Sequence, residues 1–70
     1  MTYIVIELQT NVDGTVGNLV YQYNNRLDAE SKYHAILSAA AVSALPTHSA
    51  VILTGAGQMI ASEYYSHDGE

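Results

Sequence analysis

One segment of this chain has the pattern of a helix, and it lies between two pairs of segments with the pattern of strands. The segment AESKYHAILSAAAVSA, residues 29–44, repeats apolar side chains every three or four positions, which is typical of a helix packed on a sheet. We predict a helix over 26–44. Asn25 is a favourable N-cap, and Asp28 stands where a capping box places a carboxylate. Pro46 ends the segment, because its ring disfavours helical geometry in the preceding residue.

The flanking segments alternate as strands do. TYIVIELQ, residues 2–9, is β-branched and aromatic with apolar side chains on both faces, which predicts a central strand. The pair Asp13-Gly14 favours a turn into NLVYQYN, so these two strands are expected to form a hairpin. HSAVILT and QMIASEYY predict a second hairpin across the glycines of 55–57.

The resulting order is ββαββ, which predicts one α+β domain over residues 1–70, with a four-stranded antiparallel sheet and one helix on one face. Residues 66–70 are polar, and we expect this tail to fray. A domain of 70 residues buries only about 60% of the surface of its unfolded chain, and this one has no cysteine to add disulfides. Only 13% of its residues are charged and 49% are hydrophobic. We therefore expect a homo-oligomer, a dimer or a multiple of one.

The predicted helix has two apolar sides. The core-facing stripe is Ala29, Tyr33, Ile36, Leu37, Ala40 and Ala44. The candidate oligomer interface on the opposite side is Ser31, Ala35, Ser38, Ala39 and Val42. Small side chains there would let two helices approach closely. The alternative is that alanine was selected for helix propensity on a solvated face, and an open sheet edge is a second candidate interface.

The two cations of the chain, Arg26 and Lys32, both fall in the first two turns of the helix, where the dipole already favours an anion. Together with Tyr21, Tyr23 and His34 they form a candidate binding site for a small nucleotide-like ligand, with tyrosine stacking on the base. The alternative is that Arg26 pairs with Glu30 and Lys32 with Asp28, since both pairs have i,i+4 spacing.

Other functions have less support from the sequence. A net charge of −5 argues against long nucleic acids and anionic membranes as partners. No apolar run is long enough to span a membrane and no signal peptide is evident, so we expect a cytoplasmic protein. His48 and His67 read as isolated surface residues, and the histidines lack zinc-like spacing. No catalytic set and no cofactor motif is present, so we expect neither an enzyme nor a cofactor.

The stretches YIVIELQT, GNLVYQY and AESKYHAILSAAAVS resemble short uncharacterised proteins of phages and prophages of Firmicutes. The resemblance implies a phage accessory protein that acts in the cytoplasm of a bacterial host and opposes its defences. Two functions fit that setting. The leading hypothesis is sequestration of a small nucleotide-like immune signal between subunits, and the alternative is a protein-interaction module that binds and inhibits a host protein.

Overall fold

The computed structural model describes residues 2–67 and confirms the predicted fold. The elements follow the order ββαββ: β1 (Tyr3–Thr10), β2 (Val16–Tyr23), α1 (Arg26–Ala41), β3 (Thr47–Thr54) and β4 (Met59–Ser66). The strands form one antiparallel sheet in the order β2-β1-β3-β4, so β1 is central as predicted. The helix crosses one face of this sheet.

Both predicted hairpins are present, each with a glycine at positive φ in its turn. Gly14 has φ 89° between β1 and β2, and Gly57 has φ 88° between β3 and β4. The Asp13 carboxylate accepts hydrogen bonds from the backbone N–H and the hydroxyl of Thr15 at 3.0 and 2.7 Å, which fixes the first turn. The local turn chemistry therefore sets both hairpins.

The helix begins where predicted and ends earlier. Asn25 Oδ1 accepts the N–H of Asp28 at 2.8 Å, so Asn25 is the N-cap. The C-cap is Val42, and the predicted extension to Ala44 is wrong. The last turn is closed by two hydrogen bonds that span three residues instead of four. The N–H of Val42 donates to Ala39 O, and the N–H of Ser43 donates to Ala40 O. The residues after Val42 are needed to carry the chain back to β3.

The core between helix and sheet is small. Its buried members are Val5, Ala29, Tyr33, Ile36, Ala40, Ala50 and Ile52. Most of the predicted helix stripe is thus confirmed, with Leu37 packed against its margin. Ala44, which lies beyond the helix, is exposed and does not belong to the stripe. Among the described residues, only Val5 and Ile52 are large side chains with essentially no exposure.

The last described residues are tied to the body of the domain. Ser66 ends β4, the N–H of His67 donates to Pro46 O at 2.8 Å, and His67 Nε2 lies 3.0 Å from Ala40 O. Residues 68–70 of the tail predicted to fray lie outside the described residues. Within the described part of the chain, no helix has both the length and the apolar character needed to cross a membrane.

Candidate functional site

The predicted ligand residues do not all converge. Arg26 Nε lies 2.6 Å from Glu30 Oε2 in an exposed i,i+4 pair, which is the alternative arrangement considered for this cation. The hydrogen bond and the charge of Glu30 raise the pKa of Arg26. Lys32 is six positions after Arg26, so the two side chains leave the helix about 120° apart around its axis. This spacing does not favour a common phosphate clamp.

Lys32 is held against β2. Its Nζ lies 4.2 Å from the ring centroid of Tyr21, which is a cation–π contact between helix and sheet. Tyr23 is half-buried and packs at the margin of the core. His34 is exposed, and its ring meets the edge of Tyr33 with centroids 5.3 Å apart. Of the predicted ligand residues, the structure joins Lys32 and Tyr21 to each other.

A buried polar pair that the sequence did not reveal joins β1 to β3 on the helix side of the sheet. His48 Nε2 lies 2.6 Å from Glu7 Oε2, with side-chain exposures of 6% and 12%. Gln9 Nε2 donates to the same carboxylate oxygen at 2.9 Å. The prediction that His48 is a surface residue is wrong. Because β3 begins at Thr47, His48 lies within the strand on its helix-facing side.

The surroundings of Glu7 favour its ionised form. Burial alone raises the pKa of this carboxyl, but hydrogen bonds from Gln9 and His48, together with the nearby charges of His48 and Lys32, outweigh burial and lower it. Both hydrogen bonds end on Oε2. The carboxylate forms one wall of a shallow groove of about 220 Å³, whose lining is Glu7, Gln9, Gly17, Asn18 and Leu19.

His48 has one nitrogen without a partner. Its Nδ1 is buried and makes no hydrogen bond within the described residues. On the helix, burial raises the pKa of Tyr33, and the charge of Glu63 adds to the effect. The described residues contain no group of three or more histidine, cysteine or acidic side chains placed to hold a metal ion. The arrangement is that of a buried, hydrogen-bonded pair that joins two neighbouring strands.

One signal in the sequence pointed to this pair. Glu7 is two residues after Val5, so both lie on the same face of a central strand, where a buried carboxylate needs a partner. The identity of the partner depends on the pairing of β1 with β3, in which Gln9 lies opposite His48. That pairing joins residues far apart in the chain, and local patterns do not specify it.

The side of the sheet away from the helix, here named the open sheet face, is uncovered by any described part of the chain. Strand alternation places on it Ile4, Ile6, Leu8, Thr10, Val16, Asn18, Val20, Gln22, Thr47, Ser49, Val51, Leu53, Met59, Ser62, Tyr64 and Ser66. None of these residues is acidic, basic or histidine. Val20, Met59 and Tyr64 are among the most exposed large side chains of the protein.

The predicted helix interface faces outward. Ser31, Ala35, Ser38 and Ala39 are exposed on α1, and Val42 is 86% exposed at its C-cap. The open sheet face presents larger apolar side chains than this helix surface does.

Comparison of the chain with protein-family models, with curated proteins and with solved structures gives no match.

Proposed function

We propose that this protein is a non-enzymatic interaction module whose open sheet face contacts another protein chain. A soluble sheet with one helix normally exposes polar side chains on its second face. Here that face carries a continuous patch of aliphatic side chains around Ile6, Val20 and Val51. Apolar patches of that kind mark contact surfaces in soluble proteins.

The distribution of charge supports the proposal. The described acidic and basic residues lie on the helix, in the first hairpin turn or on the helix-facing side of the strands. A partner that covers the open sheet face would therefore remove none of the described charged residues from water, so it would avoid the main cost of burial at an interface. This neutrality is the single observation that carries the proposal.

Catalysis has less support from the geometry. The polar pair of Glu7 and His48 resembles two members of a hydrolytic triad, but His48 makes no hydrogen bond to a hydroxyl group within the described residues. A general base needs a proton to abstract within hydrogen-bonding reach. The pair has a sufficient role in joining two strands.

Sequestration of a nucleotide also has less support than it had from the sequence. Arg26 is neutralised by Glu30, and Lys32 lies over Tyr21 with the ionised Glu7 nearby. A phosphate would have to compete with these partners. We keep the bacterial cytoplasm as the proposed setting, on the basis of the resemblance to phage proteins, and a protein as the proposed partner.

Cross-linking in a bacterial cell tests the proposal with a matched pair of variants. Val20→Lys places a charge on the open sheet face, and Val12→Lys makes the same change in the first hairpin turn, at a valine that is 91% exposed. The tagged parent and Val12→Lys should cross-link to the same chain, whether a second copy or a host protein, and Val20→Lys should lose it. Equal yields from all three proteins would contradict the proposal.

A further inference from the structure

We infer that the chain that covers the open sheet face is a second copy of this protein, packed face to face about a twofold axis. This inference rests on the proposed function and names its partner. It gives four layers in the order helix, sheet, sheet, helix. The two helices are outermost.

The distribution of aliphatic side chains calls for such a cover. The core under the helix contains Val5, Ile36 and Ile52 as its large buried aliphatic residues. The open sheet face carries more large aliphatic side chains, namely Ile4, Ile6, Leu8, Val16, Val20, Val51 and Leu53. A chain of 70 residues buries too little on its own helix side to be strongly stable. Oligomerisation is the remaining means of stabilising a small domain without disulfides or a metal.

The size of the face suits a dimer. Four strands of eight residues, spaced about 4.8 Å apart with about 3.3 Å per residue, give a footprint of roughly 500 Å² on each copy. Two such faces together bury about 1,000 Å², which is the lower limit for a specific interface. An interface of this size must use almost the whole face, so a single sheet of the same dimensions is the occupant that fits best.

Charge also favours a second copy over other occupants. The face has no acidic or basic group with which to select a charged protein surface, whereas another neutral apolar face matches it. The net charge of −5 disfavours an anionic membrane surface. Sheets packed face to face lie about 10 Å apart, and the described charged residues of each copy lie in its first hairpin turn or on the helix side of its own sheet. At physiological salt, where the Debye length is about 8 Å, their mutual repulsion is largely screened.

Light scattering coupled to size exclusion tests the inference at a protein concentration near 100 μM. The parent should have twice the 7.5 kDa mass of one chain. Val20→Lys should raise the dimer Kd by about 100-fold or more, because the twofold axis brings two unpaired ammonium groups into one interface. Val12→Lys should leave the Kd unchanged. Tyr64→Lys on β4 repeats the test from the other edge of the face, and circular dichroism verifies that each variant is folded.

Ala39→Arg distinguishes this dimer from one formed through the exposed side of the helix. It should leave a sheet-mediated dimer intact. Dissociation by Ala39→Arg but not by Val20→Lys would overturn the inference and place the interface on the helix. A parent with the mass of one chain would also overturn it. If that monomer still cross-linked a host protein that Val20→Lys fails to capture, the proposed function would stand without the dimer.

Discussion

The buried pair of Glu7 and His48 predicts a strong and unequal response to single and double substitution. Glu7→Leu leaves a buried imidazole without its carboxylate, and His48→Leu leaves a buried carboxylate with Gln9 as its remaining partner. Removing one member of such a pair costs about 3–5 kcal/mol when the other member stays charged, because that charge is then buried and uncompensated. Replacing both members with apolar residues of similar volume removes the desolvation penalty together with the attraction, so the double variant should lie close to the parent.

This loss of unfolding free energy is large relative to the total stability of so small a domain. A chain of 70 residues has a free energy of unfolding of about 3.5–10 kcal/mol, at roughly 0.05–0.15 kcal/mol per residue. Each single variant should therefore lose a third or more of the total stability. Urea unfolding followed by circular dichroism, at one fixed protein concentration, gives the free energy for all four members of the cycle.

A control and a refuting outcome complete this experiment. Glu30→Leu removes the carboxylate of the exposed pair with Arg26 and should leave the urea midpoint nearly unchanged, because exposed ion pairs contribute little in water. The predicted coupling of Glu7 and His48 is refuted if each single substitution costs less than about 1 kcal/mol of unfolding free energy, or if the two costs add in the double variant. Either result would mean that the pair is not coupled in the folded protein.

Three further outcomes follow from the same structure. First, the pKa of Glu7 in the folded protein lies below its ordinary value near 4.5. The ionised Glu7 carboxylate therefore stabilises the fold fully above about pH 4.5, and this stabilisation is lost as pH falls through the folded-state pKa. Acid unfolding of Glu7→Gln should lack this loss. Second, no nucleotide at 1 mM should raise the melting temperature, whereas a 10 μM binder would add about 2.7 kcal/mol; a shift that is absent from the Arg26→Ala/Lys32→Ala variant would restore the sequestration hypothesis. Third, the urea midpoint of the parent should rise with protein concentration and that of Val20→Lys should not, because only a dimer couples folding to association; equal concentration dependence would contradict this.

Local signals in the sequence were enough to predict the elements and their order. Alternation in β1 and β2, the turn at Asp13-Gly14 and the N-cap at Asn25 each depend on residues close together in the chain. The end of the helix was misplaced by three residues. Pro46 limits how far a helix can run, but the tightened turn at Val42 ends it sooner, so that the chain can reach β3.

The site was harder to predict because it depends on contacts between distant residues. Glu7 and His48 are 41 residues apart, and only the register of β1 with β3 brings them together. The choice between ion pairs was likewise open. Arg26 and Glu30 meet, and Lys32 turns instead to Tyr21 on β2, a contact that helical spacing does not predict.

The uncharged surface of this protein is concentrated in one part of the fold. The scarcity of charged residues first suggested an interface on the small-residue side of the helix. That side is exposed around Ala35 and Ala39, but such short side chains offer little apolar area. None of the described charged residues lies on the open sheet face, so this side of the sheet, which the helix does not cover, is the largest uncharged surface among the described residues. A helix on one side and a second sheet on the other would bury both faces of β1, which is what its two apolar faces require.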